Sequence, residues 1–336
     1  MEIKKRKPIA YAGIYLRGIA MGAADVVPGV SGGTIAFISG IYEELLNTIK
    51  AFNLENLKSI KSEGLVCFWK KINGNFILAL FAGIASSIVS LASIINGILK
   101  QKGETGEKIA LWSFFFGLVV ASVIYIGKQV KGWKTKELLG LVLGAVVAYY
   151  ITVTGVSEES NGMFFLFFAG AIAISAMILP GISGSFILVL LGAYQPVMDM
   201  INSVLTALKS LDIGLLVTAG IPIGVFALGC LTGLLSFSRL LSWLFKNFEN
   251  TTLATLTGFM IGSLNKIWPW KRVLDSRIDS DGNEVPTVTE SISPSMFEQL
   301  DNQMDDAMLL YSIGFAVIGF MVVFGLEYVG NKFKNE

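Results

Sequence analysis

Long apolar runs dominate the chain, and they are continuous rather than alternating. They fall at roughly 9–27, 33–50, 75–99, 107–127 and 137–153, then at 162–179, 186–206, 211–237, 251–268 and 308–328. Runs of about 17 to 25 residues match the thickness of a bilayer when helical, and their continuity argues against a transmembrane barrel. The pattern predicts an all-α polytopic membrane protein made of two repeats. The first, 1–153, is an interrupted re-entrant helical hairpin (9–50) followed by helices 75–99, 107–127 and 137–153. The second, 154–336, repeats the plan with a hairpin at 162–206 and helices 211–237, 251–268 and 308–328. A hairpin that enters and leaves on one side gives each half an odd number of crossings, so the second half is expected to be inverted.

The charges sharpen this picture. Only 15% of residues are charged and 53% are hydrophobic, against roughly 25% charged in soluble domains. Lysine and arginine concentrate in cytoplasmic loops. With the N-terminus inside, 17 of the 26 basic residues fall on inner segments, among them Lys4 to Lys7, Lys50 to Lys71, Lys128 to Lys136, Arg239 and Lys246. Eight fall outside: Lys100, Lys102, Lys108, Lys209, Lys266, Lys271, Arg272 and Arg277. A single crossing per hairpin would move the five lysines from 50 to 71 outside, so the inverted arrangement fits better. Both termini are then cytoplasmic, and the basic N-terminal segment is expected to be retained. The stretch 273–307, with nine acidic residues against one arginine, reads as an acidic external loop without a counterpart in the first half. Trp268-Pro269-Trp270 before it reads as an interfacial anchor.

Composition also excludes chemistry. The chain has no histidine, which removes histidine acid/base catalysis, Ser-His triads and the common zinc sites. Cys67 and Cys230 are isolated, with no metal-ligand spacing. No metal and no cofactor is expected, except a coupling ion, H⁺ or Na⁺.

The informative motif interrupts the apolar pattern. Val27-Pro28-Gly29-Val30-Ser31-Gly32-Gly33 returns 152 residues later as Leu179-Pro180-Gly181-Ile182-Ser183-Gly184-Ser185, and seven of the fifteen positions from Pro28 to Tyr42 are identical. Among the identities are Gly40/Gly192 and Tyr42/Tyr194. Pro28, Gly29, Pro180 and Gly181 break helices where a break is costly, because orphaned backbone groups in hydrocarbon need a partner. Paired breaks in two halves point to a transporter's binding site. Ser31, Gly32, Gly33 and Thr34 open the second limb of one hairpin, and Ser183, Gly184 and Ser185 that of the other. Free amides and the positive helix ends at both would attract an anion. The alternative is that these glycines serve only close helix packing.

The two copies differ in charge. Arg17 aligns with Ala169, Asp25 with Met177, Glu43 with Gln195 and Glu44 with Pro196. Each charge at mid-bilayer costs roughly 2.5–3.5 kcal/mol, so these groups must face a polar cavity, pair, or lie near the surface. Arg17 suits bidentate capture of a phosphate or carboxylate, or else pairs with Asp25 two turns on. Asp25 either binds a coupling proton or Na⁺, or caps amides at the break. Glu43 belongs to the same polar network or is solvated at the hairpin's mouth.

The segment Arg17-Gly18-Ile19-Ala20-Met21-Gly22-Ala23-Ala24-Asp25, continued by Pro28-Gly29-Val30-Ser31-Gly32-Gly33-Thr34, resembles the signature of the bacterial polyprenyl-phosphate transporter family. Pro180-Gly181-Ile182-Ser183-Gly184 and Trp268-Pro269-Trp270 also match its pattern. The resemblance implies a flippase, not an enzyme, in the bacterial cytoplasmic membrane. It would return undecaprenyl phosphate, or a related polyprenyl phosphate, from the outer to the inner leaflet. This recycles the carrier lipid of peptidoglycan and other envelope polymers. The residues themselves support an anion site, so a transporter or channel for a soluble anion, or a cation-coupled exchanger, stays open. A lipid substrate requires a cleft open sideways to the bilayer; a soluble anion requires a closed aqueous path.

Overall fold

The structure is a computed structural model that describes residues 8–26, 31–99, 106–154, 162–210, 213–278, 284–299 and 307–334. The basic cluster Lys4 to Lys7 and the first break, including Pro28 and Gly29, lie outside the described residues. The first half comprises α1 (Pro8–Val26), α2 (Gly32–Ile38), α3 (Tyr42–Ala51), α4 (Leu54–Glu63), α5 (Leu65–Lys71), α6 (Gly74–Leu99), α7 (Gly106–Gly127) and α8 (Thr135–Val153). The second comprises α9 (Met163–Ile178), α10 (Gly184–Leu190), α11 (Tyr194–Ser210) and α12 (Ile213–Ser263). Strands β1 (Lys271–Ile278) and β2 (Glu284–Ser291) follow, then α13 (Pro294–Phe297) and α14 (Leu309–Lys334). Among the described residues, four helices are long and apolar enough to cross a membrane, and α10 with α11 forms a further apolar pair bent by 111°. Val89, Phe164 and Leu310 are each more than four-fifths exposed. Large apolar side chains turned outward in this way suit a hydrocarbon surround rather than water. The chain is thus a multi-pass, helical membrane protein.

Two expectations are refined by the structure. The runs 211–237 and 251–268 fall in two helices that meet at a kink at Phe248 (φ −140°, ψ 46°) within α12, so the first helix extends past 237 and no loop separates them. The intervening segment stays helical because Phe237, Leu241, Leu244 and Phe245 continue the apolar stripe into the core, while Arg239 and Lys246 lie exposed on the other side. Nor is 273–307 simply a loop. Its described part is an antiparallel β-ribbon, Lys271 opposite Ser291 and Ile278 opposite Glu284, followed by the single turn α13. Alternating residues and the Arg272–Glu290 ion pair across the ribbon fit this better than a solvated coil. The tryptophans before it fasten the ribbon to the bundle. Trp270 is buried, with Ile109, Ile292, Phe297 and Ala307, in a small satellite core. The indole N–H groups of Trp268 and Trp270 donate to the carbonyls of Ile292 (2.7 Å) and Ala307 (2.9 Å).

Glycines set which helices pair. α1 packs on α6, α9 on the first part of α12, α7 on α14 and α8 on the last part of α12. At each crossing a methyl group added to a glycine would collide with the facing backbone. Gly18 faces Leu80 and Gly83 faces Tyr15; Gly170 faces Phe226 and Gly229 faces Phe167. Gly117 faces Ala316, Gly319 faces Phe114, Gly144 faces Thr255 and Gly258 faces Leu141. Without a hydrophobic drive between helices in lipid, close backbone approach supplies the attraction. Gly18 and Gly170, 152 residues apart, do the same job in the two halves.

The short helices α2 and α10 also end alike. Gly40 (φ 72°) and Gly192 (φ 70°) take left-handed backbone. The amide of Ile41 then donates to Ala36 (3.1 Å) and that of Ala193 to Leu188 (2.8 Å). These are the six-to-one bonds of a glycine-terminated helix. α2 sits in the main core with Ile35, Ile38, Tyr42 and Leu46 all essentially inaccessible.

Candidate functional site

The second break lies where α9 runs out. Its last carbonyls, from Met177 to Leu179, have no intrahelical donor, and Pro180 offers no N–H. The Ile182 amide reaches the Leu179 carbonyl at 3.4 Å, and hairpin one supplies the other partners. The Tyr42 hydroxyl donates to the Ile178 carbonyl at 2.9 Å. The Ser31 hydroxyl lies 3.3 Å from the carbonyls of both Met177 and Leu179, so its one proton is shared between them. In the other direction the Gly181 amide donates to Thr34 Oγ1 at 2.9 Å. Gly181 (φ 88°) lies against Met260 and Ser263 of α12, where a side chain would not fit. The structure therefore brings Ser31 and Thr34 directly against the break at Pro180 and Gly181. Ser31, Thr34, Tyr42 and Ser183 are all buried.

The two helix starts differ in what their amides meet. At α2, Ser31 caps with its hydroxyl accepting from the Gly33 amide (3.1 Å), and the Gly32 amide donates to Asp25 Oδ1 (2.7 Å). A carboxylate thus stands against an amide where an anion was expected, and Asp25 acts as a cap. At α10, Ser183 makes no such cap. Its hydroxyl bonds instead to that of Ser185 (2.9 Å), and Ser185 is exposed. Among the described residues no acceptor meets the amides of Gly184, Ser185 or Phe186.

The other expected site residues lie further out. Arg17 is half-buried on α1, two turns before Asp25. Glu43 is exposed in the first turn of α3, with no hydrogen bond to either hairpin tip among the described residues. Its neighbour Glu44 accepts from Asn73 Nδ2 at 2.8 Å. Tyr42 was not singled out by its chemistry. The signal was its identity with Tyr194 in the repeat, the mark of a position the hairpin needs. A cavity of about 510 Å³ opens beside hairpin one, lined by Phe37, Gly40, Ile124, Tyr125, Lys128, Gln129 and Phe324. Its walls are mostly apolar, with one ammonium. Among the described residues no cluster of three or more acidic or cysteine side chains could hold a metal ion.

A buried polar junction, where Ser31, Thr34 and Tyr42 bond to the backbone at the end of α9, inside a glycine-packed helical bundle defines the class: a multi-pass helical membrane protein with a polar centre. The chain belongs to the undecaprenyl phosphate translocase-like family, whose model matches residues 21–285. A polyprenyl-phosphate transporter of Vibrio cholerae serotype O1 is 44% identical over 326 residues, 97% of this chain and 99% of that protein. A polyprenyl-phosphate transporter of Staphylococcus aureus is 31% identical over 267 residues, 76% of this chain and 85% of that protein. Both relatives are named as transporters, not enzymes. No solved structure matches the chain.

Proposed function

We propose that this protein is a transporter of polyprenyl phosphate, most simply undecaprenyl phosphate, acting as a flippase from the outer to the inner leaflet of the cytoplasmic membrane. The observation that carries the reading is the polar junction of the two hairpins, in a chain 44% identical over nearly its whole length to a protein named for that substrate. A phosphate monoester carries roughly −1.5 to −2 charges near pH 7. It would be held by Arg17, by the Gly32 amide once Asp25 leaves it, and by the hydroxyls and amides of Ser183, Gly184 and Ser185, while Ser31, Gly33 and Thr34 keep the junction in place. The polyprenyl tail would remain in the bilayer while the headgroup crosses.

Asp25 gives this reading a moving part. Its carboxylate occupies the Gly32 amide, so phosphate arriving at hairpin one exchanges one anionic acceptor for another. The displaced Asp25 would then take up H⁺ or Na⁺, which ties substrate binding to a coupling ion. The helix pairing supports inverted repeats as the frame for alternating access. Exchanging the halves maps the α1–α6 pair onto α9 with the first part of α12, and α7–α14 onto the last part of α12 with α8. The cavity beside Lys128, apolar over most of its wall with one ammonium, suits an amphiphile leaving on the inner side better than a soluble anion.

Reconstitution in liposomes tests the reading. Wild-type protein should move labelled undecaprenyl phosphate between leaflets, and Arg17→Ala should slow it by at least about tenfold. That change is about 1.4 kcal/mol, within the range of one charge-assisted phosphate contact. A wild type that carries inorganic phosphate but leaves the lipid in place would favour the soluble-anion reading instead.

A further inference from the structure

Hairpin two lacks every formal charge of hairpin one, yet a cation reaches it from another part of the fold. Lys266 follows the end of α12, in the turn between Ser263 and the β-ribbon. Its ammonium lies over the Phe186 ring, 4.1 Å from the centroid, and Phe186 is the third residue of α10. The next residue back is exposed Ser185, whose hydroxyl bonds to buried Ser183.

Nothing else among the described residues accounts for this placement. Among the described residues no carboxylate lies within ion-pair distance of Lys266, and no acceptor meets its three N–H bonds. The α12 terminus does not need it, because the amides of Leu264 and Lys266 already bond to the carbonyls of Ile261 (3.2 Å) and Ser263 (2.9 Å). The contrast is Lys271, five residues on. That ammonium donates to the Lys266 carbonyl at 2.6 Å and lies over Trp112, as a structural lysine should. A largely buried ammonium with only an aromatic face for company loses hydration without a full replacement.

We propose that Lys266 is the phosphate-gripping cation of the second hairpin. On the side that loop charges put outside, it would receive the phosphate monoester of the lipid together with the Ser185 and Ser183 hydroxyls, as Arg17 does for hairpin one. Two similar half-sites, one per hairpin, then each carry one cation, although only the first carries it in the repeat itself. The inference rests on the proposed transport of polyprenyl phosphate.

Liposome flipping measured against lipid concentration tests it, using Lys266→Met, which keeps the stem over Phe186, and Lys266→Arg, which keeps the charge. The methionine variant should raise the half-saturating concentration of undecaprenyl phosphate by about tenfold or more, and the arginine variant should stay within about threefold of wild type. Wild-type half-saturation in Lys266→Met overturns the assignment. A second measurement needs no variant: acylation of Lys266 by an amine-reactive reagent, followed by mass spectrometry. Undecaprenyl phosphate should slow that acylation while undecaprenol, which lacks the phosphate, does not. Equal acylation with both lipids overturns the assignment even if the variants fail to fold. Protection by the phosphate lipid in a wild type that does not flip it would uphold the Lys266 site and count against the transport reading alone.

Discussion

Thr34, Ser31 and Tyr42 together show how a polar residue can be kept inside an apolar bundle. Each hydroxyl is buried, and each is used on the backbone of the other hairpin, where a proline and a left-handed glycine leave groups unsatisfied. Removing one partner leaves the other buried and unpaired, which costs about 1–3 kcal/mol. Thr34→Val should therefore lower the thermal unfolding midpoint in detergent, and Thr34→Ser should restore most of it, because only the hydroxyl faces the Gly181 amide. Asp25→Asn separates the roles of that residue. The amide oxygen can still accept from Gly32, so stability should hold. The proposed exchange with phosphate and cation binding need a carboxylate, so any dependence of flipping on a proton or Na⁺ gradient should disappear. An unchanged gradient dependence would leave Asp25 as a cap and nothing more.

Helix pairing is decided where glycine meets backbone. At Gly117 and Gly319 a single methyl would overlap the facing Ala316 and Phe114 carbonyls, so α7 and α14 would have to separate along their length. Gly117→Val should abolish folded protein in a monodispersity assay. Gly220→Ala is the control. Nothing lies within 4 Å of an added methyl there, and alanine favours helix by about 1 kcal/mol over glycine, so the variant should be as stable as wild type or more so. The β-ribbon is pinned by Trp268 and Trp270 rather than floating. Trp270→Ala should cost about 3–5 kcal/mol, the usual effect of emptying a buried aromatic site.

On the scale of the whole molecule, the inverted arrangement makes a claim about sides. Cysteine placed at exposed Lys61 in α4 should react with a membrane-impermeant thiol reagent only from the cytoplasmic face. One placed at exposed Asp275 in the ribbon should react only from outside, both in a Cys67→Ser background. Labelling of the two positions from the same side would remove the inverted topology and the alternating-access scheme built on it.

Much of this architecture was legible from the chain itself. The hydrophobic runs are helical because backbone groups in lipid must be satisfied within the segment, and a run length is a local property. The repeat of Pro-Gly-x-Ser-Gly, with Gly40 and Gly192 in register, gave α2 and α10 the same length and the same left-handed ending, since those dihedrals depend on nearby residues alone. Other features were not legible. The first helix of α12 runs past 237 to the kink at Phe248 because core contacts from distant helices hold Leu241 and Phe245. The acidic stretch hides a ribbon whose partners are set by cross-strand pairing. Asp25 fills the Gly32 amide, and Lys266 reaches Phe186 across 80 residues of sequence. Local dihedral preference and apolar run length determined the helices and the matching endings of α2 and α10. Which amides are already occupied, and which cation stands beside the second hairpin, depend on contacts between segments far apart in the chain, so only the tertiary structure decided them.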